Sequence, residues 1–389
     1  MILMDLNLNE DQKLVQETAR DFARRTVLPR ALEIEESKAV PRDLWAEMGR
    51  LGLLGVAIPR EYGGTEAGFL ASALVMEELS YASAGLTLSY GAHSFLCAHN
   101  LYSASSHEQR KKYLPKLCSG EWIGAFALTE PGSGSDAASL QTTAILKGNE
   151  YVLNGTKIFI TNGSVADVVF LLARVRRGSG KTLLSAFIIE KGFSGFSVSK
   201  DIPKLGTRGS PLSELVFQDC RVPQENLAGE EGKGLSYMLK GLDMERAVFS
   251  GMPVGIAQSA FDYASRYALA RKQFGQSISG FEMIQEMLAQ TATEIEASRL
   301  LTYQAAWRLD EGLSVSKYAS FAKLFGAQMV LRATQAAVQI LGGYGFTKEF
   351  PVERYLRDAV LIGIGGGTSQ IQQLIIAREI LREARMADQ

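Results

Sequence analysis

Residues 122–130 read WIGAFALTE, and they mark the point at which the pattern of the chain changes. The residues that follow form short runs that alternate with a period of two or are rich in β-branched and aromatic side chains: TTAILKGNEYVL, KIFIT, DVVFLLARV, TLLSAFIIE and SELVFQDC. Such runs are typical of strands. The pairs Gly148-Asn149 and Asn154-Gly155 lie between runs, as hairpin turns do. Residues 121–232 are therefore predicted to form a central antiparallel β-domain.

Helical periodicity lies on both sides of this region. Before it, a possible capping box at Asn9 and Gln12 begins the first of four helical patterns, at about 10–28, 43–55, 70–83 and 107–117. After it, four long helices are expected at approximately 234–270, 280–310, 314–341 and 369–386. The chain is thus predicted to be a multidomain α+β protein, with a helical N-terminal domain (1–120), the β-domain, and a C-terminal four-helix bundle (233–389).

The composition argues against several classes of protein. Of the 389 residues, 46% are hydrophobic and 21% are charged, as in ordinary globular proteins. The 41 Lys and Arg residues balance the 42 Asp and Glu residues, so no charge excess favours nucleic acid, and no apolar run predicts a membrane span. Three cysteines without close-pair spacing fit a reducing compartment. We expect a cytoplasmic protein, or a mitochondrial-matrix protein if a eukaryotic leader has been removed.

Residues 129–140, TEPGSGSDAASL, contain the glycine pattern of a dinucleotide-binding turn. Gly132, Gly134 and Ala137 satisfy G-x-G-x-x-[GA]. In a Rossmann unit these glycines open a long helix, whereas here strand-like sequence resumes within a few residues. Two interpretations remain. The segment is either a Gly/Ser loop whose amides and hydroxyls bind a phosphate or a polar ring, or a plain surface loop.

Glu245, in KGLDMERAVFSGM, is a candidate catalytic base. Its helical neighbours three and four positions away are apolar residues or glycine. A carboxylate on such a face is partly desolvated, which raises its pKa toward the range of a general base. The alternative is that Asp243, Glu245 and Arg246 form a solvated charge cluster on a bundle helix.

The histidines are weaker candidates for a functional site. His93, His99 and His107 lie close together in the sequence, and Cys97 is nearby. No fourth ligand cluster follows elsewhere, so no metal site is expected, and packed or capping histidines are the default.

Three further stretches are candidate sites for a bound ligand. RKQFGQ (271–276) offers a guanidinium and a ring for a pyrophosphate or adenine. QILGGYGF (339–346) exposes backbone at a helix end, unless it is an ordinary glycine C-cap. LIGIGGGTSQIQ (361–372) places four glycines between two helical patterns. Either the chain turns sharply in that stretch, or something passes very close to its backbone.

These motifs, in this order, resemble those of the acyl-CoA dehydrogenase family over essentially the full chain. The matching stretches are GAFALTEPGSGSD, LNGTKIFITNG, LGTRGSPLSELVFQDCRVP, ARKQFGQ, QILGGYGF and RYLRDA with GGGTSQIQ. The resemblance implies the acyl-CoA dehydrogenase fold, whose three domains match the predicted ones, and a homotetramer that is a dimer of dimers. It also implies bound FAD, oxidation of an acyl-CoA to a trans-2-enoyl-CoA, and an electron-transfer flavoprotein as electron acceptor.

By motif match, the positions that would bind FAD fall into three groups. Those that line the flavin and its phosphates are Phe126, Leu128, Thr129, Gly134, Ser135, Phe159 and Thr161. Phe159 stands where many members place a tryptophan, and a phenyl ring can still stack on the flavin. Those that would reach the FAD of a neighbouring subunit are Arg271, Phe274, Gln339 and Gly343. Thr368 and Gln370 would close the site.

The resemblance also implies the substrate positions, and here the chain departs from many members. The implied positions are Ser135, Asp243, Arg246, Gly365, Gly366 and Gly367. Many members carry the base immediately before the glycine-threonine pair, where this chain has Gly366. The isovaleryl-CoA dehydrogenase branch carries it in a Leu-Asp-x-Glu-Arg context, which is LDMER here, with Glu245 as the base. LSYGAHS (88–94) also resembles that branch.

The acyl group is less constrained by the motifs than the reaction is. Glycine at 365 and 366 removes side chains from one wall of the acyl pocket, so a branched, cyclic or aryl group should fit better than in members with a tyrosine there. By resemblance, a short or branched group such as isovaleryl is expected. The alternatives within the same fold are a dehydrogenase of a longer, cyclic, aromatic or carrier-protein-bound acyl group, and an oxygen-using flavin oxidase or monooxygenase. A catalytically silent assembly factor is the alternative outside enzymology, although the intact flavin motifs argue against it.

Overall fold

The computed structural model describes residues 7–177 and 182–387, and its elements follow the predicted order of helices, strands and helices. The first helices are α1 Glu10–Phe22, α2 Ala31–Ser37, α3 Arg42–Arg50, α4 Gly68–Ala82, α5 Ala84–Gly91, α6 Asn100–Ala104 and α7 His107–Cys118. The central strands are β1 Gly124–Ala127, β2 Thr143–Lys147, β3 Glu150–Thr161, β4 Val168–Arg176, β5 Thr182–Glu190, β6 Phe196–Asp201, β7 Leu212–Pro223 and β8 Leu227–Ala228. The remaining elements are α8 Gly234–Phe249, α9 Gly251–Ala270, the short strands β9 Lys272–Gln273 and β10 Gln276–Ser277, α10 Glu282–Asp310, α11 Ser316–Leu341, α12 Val352–Ala359 and α13 Ser369–Ala387.

The N-terminal domain is helical, as predicted, and its first helix begins at the predicted capping box. Asn9 Oδ1 accepts a hydrogen bond from the Gln12 amide at 2.8 Å, and Gln12 Oε1 accepts one from the Asn9 amide at 3.0 Å. The helical path continues beyond α1 through a π-helical segment, Ala23–Val27, and a 3-10 turn, Leu28–Arg30. No helix in the described part of the chain is both long and apolar enough to cross a membrane.

The central sheet is mixed, so the prediction of a wholly antiparallel β-domain is wrong at two strand pairs. The strand order is β6-β7-β3-β2-β4-β5-β8, with β1 beside β4. Most pairs are antiparallel, but β1 and β2 both run parallel to β4. Parallel strands need a crossover connection between them. A long loop and the β2–β3 hairpin connect β1 to β4, and β3 with its two flanking turns connects β2 to β4.

One of the two predicted hairpin turns is correct and the other is wrong. Gly148-Asn149 joins β2 to β3, and Gly148 has φ 63°. Asn154-Gly155 instead lies inside β3, where the pairing with β7 shifts register. A Cβ at Gly155 would lie 2.5 Å from Thr142 Oγ1, so glycine is needed there for close approach within a bulge.

The C-terminal domain is helical, but the predicted helix over 234–270 is two helices. α8 ends at Phe249 and α9 begins at Gly251. Pro253 lacks the amide hydrogen that would continue the helical ladder back to residue 249, which accounts for the break. Ser250 lies at the junction, and its carbonyl accepts a hydrogen bond from Thr302 Oγ1 of α10 at 3.1 Å. α11 packs against α8, α9, α10 and α13, while α8 also packs against β5.

Buried His93 joins the N-terminal helices to the sheet. Its Nε2 donates to the Leu117 carbonyl at 3.0 Å, and its Nδ1 accepts from the Gly124 amide at 2.9 Å. Burial lowers the pKa of His93 to about 4, so the ring is neutral at physiological pH. The expectation of a packed histidine is confirmed here. Residues 7–177 and 182–387 contain no group of three or more His, Cys, Asp or Glu side chains that could hold a metal.

A buried ion pair fixes the loop that follows β1. Lys157 of β3 is fully buried, and its Nζ donates to the Leu128 carbonyl at 2.8 Å and to Glu130 Oε1 at 2.9 Å. The Glu130 carboxylate also accepts the amides of Gln141 and Thr142, at 2.5 and 2.8 Å. These contacts close the loop between β1 and β2 at both of its ends.

We expect Lys157→Met to destabilise the fold, because it leaves the Glu130 carboxylate buried without its cation. Breaking one partner of a buried pair costs about 3–5 kcal/mol in the free energy of unfolding. Thermal unfolding measures the loss, and Lys147→Met, at an exposed position of β2, is the control. Equal melting temperatures for the two variants would contradict the role of the pair.

Candidate active site

Glu245 of α8 is a buried carboxylate without a full set of hydrogen bonds. The residue is 5% exposed, and its Oε2 has no hydrogen-bond partner among the described residues. Burial raises the pKa of Glu245, while the charges of Arg246 and Lys323 act to lower it. The alternative of a solvated charge cluster is therefore wrong for Glu245, and the carboxylate has the desolvated setting of a general base.

The glycine segment, residues 363–367, passes directly against this carboxylate. A Cβ at Gly366 would lie 2.8 Å from Glu245 Oε1 and 3.0 Å from Oε2. Gly366 and Gly367 also have φ values of 64° and 90°, in the left-handed region that glycine tolerates best. Both explanations of the glycines thus hold, since the chain turns sharply there and a functional group approaches its backbone.

Two side-chain donors bond to the backbone of the glycine segment. Lys323 of α11 and Gln372 of α13 both donate to the Gly367 carbonyl, the latter at 3.0 Å. Our sequence reasoning missed both residues. A lysine within the apolar stretch FAKLFG (321–326) was the available signal, because a lone charge on a buried helix face needs a partner.

Asp243 and Arg246 lie beside Glu245 on α8 and pair with each other. An Arg246 Nη2 hydrogen bond reaches Asp243 Oδ1, which also accepts from Ser316 Oγ at 3.2 Å. Arg246 is 6% exposed, and its Nε finds no partner in the described part of the chain. Two of the six predicted substrate positions, Asp243 and Arg246, thus lie next to the predicted base, and the Arg246 Nε donor is free within the described chain.

Five of the predicted FAD positions lie in or directly after β1 and at the end of β3, and we call them the strand-end cluster: Phe126, Leu128, Thr129, Phe159 and Thr161. The Ile158 amide donates to the Thr129 carbonyl at 2.9 Å and joins the two strand ends. Phe159 is 57% exposed with φ 60°, and half-buried Thr161 ends β3. Leu128 is 8% exposed within the core, so it can offer mainly backbone atoms. An exposed ring beside hydroxyl and amide groups fits the flat, polar-edged ring system of a flavin.

The loop that carries Gly134 and Ser135 leaves the strand-end cluster without entering a long helix. Only a 3-10 turn, Ala137–Ser139, precedes β2, so our rejection of a Rossmann unit is confirmed. Gly134 and Ser135 are exposed, and a Cβ at Gly134 would meet no atom within 4 Å. The loop is therefore open on the side where phosphates can approach its backbone.

A second group of predicted FAD positions, the outer cluster, consists of the exposed residues Arg271, Phe274, Gln339 and Gly343. Phe274 is 94% exposed, with φ 51°. The Arg271 guanidinium lies 5.7 Å from the ring centre of Tyr344, next to Gly343 in the turn that ends α11. Within the described ranges, the outer cluster shares no hydrogen bond, ion pair or ring contact with the strand-end cluster.

Thr368 and Gln370 lie at the start of α13, immediately after the glycine segment. Thr368 Oγ1 accepts from the Ile371 amide at 3.3 Å, and Gln370 is exposed. Their position fits residues that border the glycine segment, and Thr368 also has a local role in beginning the helix.

Three family models together match most of the chain. They are the acyl-CoA dehydrogenase N-terminal domain over residues 9–121, the middle domain over 125–220 and the C-terminal domain over 232–381. A short-chain-specific acyl-CoA dehydrogenase of Clostridium acetobutylicum is 44% identical over 97% of this chain and 100% of its own length. The chain belongs to the acyl-CoA dehydrogenase family.

Other members of the family are also similar over nearly the whole chain. The mitochondrial isovaleryl-CoA dehydrogenase of Pongo abelii is 42% identical over 95% of this chain and 89% of the relative. Butyryl-CoA dehydrogenase from Megasphaera elsdenii has a TM-score of 0.94 at 37% identity, covering 97% of this chain and 100% of that one. A chain in the structure described as the electron transferring flavoprotein of Acidaminococcus fermentans also has a TM-score of 0.94, at 42% identity and with the same coverage.

The cofactor of this family is FAD. A solved FAD complex of PigA has a TM-score of 0.92 at 34% identity, and the match covers 97% of this chain and 99% of that one. The exposed ring and polar groups of the strand-end cluster fit a flavin, as described above. This acyl-CoA dehydrogenase is therefore a flavoprotein oxidoreductase.

We expect Gly366→Ala to fold but to lose most of its activity. The new Cβ would displace the Glu245 carboxylate, and the left-handed backbone adds about 1–2 kcal/mol of strain. Misplacing a catalytic group by about 1 Å costs about a hundredfold in rate, so we expect flavin reduction by an acyl-CoA to slow by about that factor. Stopped-flow absorbance measures that rate, and Gly363→Ala, where a Cβ would lie 3.7 Å from Ser369 Oγ, is the control. Equal rates for the two variants would show that the close approach has no role in the reaction.

Proposed function

We propose that this flavoprotein oxidises a short or branched acyl-CoA to the trans-2-enoyl-CoA, with Glu245 as the catalytic base. The observation that carries the proposal is the buried Glu245 carboxylate, with one unpartnered oxygen, pressed against the backbone of Gly366. No side chain at 366 can supply the base, and the carboxylate from α8 occupies that space instead.

The reaction needs a base, a hydride acceptor and donors for the thioester carbonyl. Glu245 takes the proton from carbon α, the β hydrogen leaves with its electron pair as hydride, and a double bond forms between the two carbons. When bound, FAD supplies the oxidised ring system that accepts this hydride. The exposed Phe159 ring, Thr129 and Thr161 of the strand-end cluster would hold the flavin.

Backbone donors for the thioester carbonyl lie in the glycine segment. The amides of Gly366 and Gly367 donate to no acceptor in the described chain, and both residues have positive φ. Adjacent free amides in this conformation form a concave site for a developing negative oxygen. We assign them to the thioester carbonyl as enolate character develops.

The size of the acyl group is inferred from two structural features and from the relatives. A Cβ at Gly365 would make only ordinary contacts, at 3.5 Å or more, so no side chain fills this wall. One turn along α8 from Glu245, the Phe249 ring fills a notch at Gly91, where a Cβ would lie 2.3 Å from it, and packs edge-on against Phe95. We infer that the open wall widens the acyl site and that the Phe249 ring limits its depth, which suits butyryl or isovaleryl groups better than long chains, in line with the butyryl-, short-chain and isovaleryl-specific relatives.

We also propose a homotetramer and an electron-transfer flavoprotein as the electron acceptor. The outer cluster supports the first proposal, because Phe274 and Arg271 project from the surface apart from the strand-end cluster and would reach FAD in a neighbouring subunit. The similarity to a chain in the structure of an electron transferring flavoprotein supports the second.

We expect Glu245→Gln to retain bound FAD but to lose flavin bleaching by butyryl-CoA and isovaleryl-CoA. Glutamine fills the same space without accepting a proton, so the anaerobic rate should fall about 100- to 10,000-fold. Glu108→Gln, at an exposed position of α7, is the matched control. Bleaching by Glu245→Gln at the rate of the control would exclude Glu245 as the base. Rapid reoxidation of the reduced wild-type flavin in air would instead indicate an oxidase.

We expect Phe274→Ala to weaken FAD binding without unfolding the chain. The ring is almost fully exposed and so contributes little to the core, whereas loss of an aromatic stacking partner weakens binding of a nucleotide base by about tenfold. The flavin-to-protein absorbance ratio after gel filtration measures the effect, and sedimentation reports the subunit number. Leu14→Ala, an exposed apolar residue of α1, is the control. An unchanged flavin content would remove Phe274 from the FAD site.

A further inference from the structure

Lys323 is a buried cation that neither the family motifs nor the proposed reaction uses. It lies on α11, is 6% exposed, and donates through Nζ to the Gly367 carbonyl. Gly366, the preceding residue, is the one whose missing side chain leaves room for the Glu245 carboxylate. Adjacent residues of the glycine segment thus contact the ammonium group and the carboxylate.

The charges of Lys323 and Glu245 act on each other without forming a direct ion pair. Burial raises the pKa of Glu245, and the charges of Arg246 and Lys323 oppose that rise. Burial likewise lowers the pKa of Lys323 to about 8, against the opposing effect of Glu245. At neutral pH the ammonium group is therefore still mostly charged and favours the ionised carboxylate.

Several other charged or titratable groups, on α8 and on the elements that pack against it, have partners of their own or are neutral. On α8 itself, Arg246 pairs with Asp243. Burial lowers the pKa values of His93 and His99, in the segment 92–99 that packs on α8, to about 4, so both rings are neutral. On the helices that pack against α8, Glu77 of α4 pairs with Arg299 of α10, Asp262 of α9 bonds to Tyr81, and Lys317 of α11 pairs with Glu383. Asp310 of α10 accepts from the amides of residues 69 and 70. On the sheet, Glu190 of β5 pairs with Lys112, and Arg174 of β4 donates to the carbonyls of residues 138 and 140.

We propose that Lys323 is a positioning residue that anchors the glycine segment through the Gly367 carbonyl and keeps the Glu245 carboxylate ionised at neutral pH. This inference rests on the proposed role of Glu245 as the base. Without the cation, burial raises the pKa of Glu245 with less opposition. A smaller fraction of the enzyme then has the ionised carboxylate that accepts the α proton. The effect is largest below neutral pH and shrinks as the pH rises.

The test is the pH dependence of anaerobic flavin bleaching by butyryl-CoA, for wild type and for Lys323→Met, Lys323→Gln and Lys323→Arg. Removing a nearby opposite charge shifts a carboxyl pKa upward by about one unit or more, so the acidic limb should move to higher pH by that amount in the Met and Gln variants. In Lys323→Arg the charge remains, and the limb should stay near that of wild type. Lys317→Met, on the same helix but paired with the exposed Glu383, is the control and should leave the limb unmoved.

Two measurements separate a change of charge from a change of fold. Flavin content and melting temperature report whether the segment and the cofactor site survive, and Lys323→Gln retains a donor for the Gly367 carbonyl if Lys323→Met does not fold. An acidic limb that is the same in the Gln variant as in wild type, or that moves equally in the Arg and Gln variants, would overturn the role of the charge. If Glu245→Gln still bleaches the flavin, the base assignment itself fails, whereas an inactive Glu245→Gln with an unmoved limb in Lys323→Gln rejects only the role of Lys323.

Discussion

Steric exclusion between residue 366 and the Glu245 carboxylate governs the organisation of the candidate site. Only a residue without a Cβ can occupy position 366 while the carboxylate stands 2.8 Å from where that Cβ would be. The glycine in turn permits the positive φ that turns the chain into α13. The backbone geometry of the glycine segment and the position of the Glu245 carboxylate therefore depend on one contact.

Buried polar groups hold the elements around that contact. Lys157 and Glu130 close the loop beside the strand-end cluster, and His93, in the helical segment 92–99, bonds to both the end of α7 and the start of β1. Such groups are expensive to bury, and they persist where each donor and acceptor finds a partner. The candidate site contains exceptions, since Glu245 Oε2, Arg246 Nε and the amides of Gly366 and Gly367 have no partner in the described chain.

Much of the architecture follows from local pattern, and the errors have identifiable physical causes. Period-two runs predicted the strands, and the capping box at Asn9 predicted the start of α1. The break at Ser250 was missed because the apolar pattern continues across it, although Pro253 was visible. Asn154-Gly155 has the composition of a turn, and only its packing against Thr142 shows that it is a bulge. Sequence motifs likewise pointed to Glu245 but not to Lys323. The contact of Lys323 with the Gly367 carbonyl arises only because the fold brings distant parts of the chain together.

The parallel pairing of β1 with β4 has a consequence for how the chain folds. Gly124 pairs with Val168, and the hairpin of β2 and β3 lies between them in the sequence. This closure is not local, and the entropy lost in joining distant segments must be met before the contact forms. The loop of residues 128–142 is therefore shaped only when β1 docks on a strand that follows the hairpin. Any ligand that binds this loop therefore selects chains that have already folded their central domain.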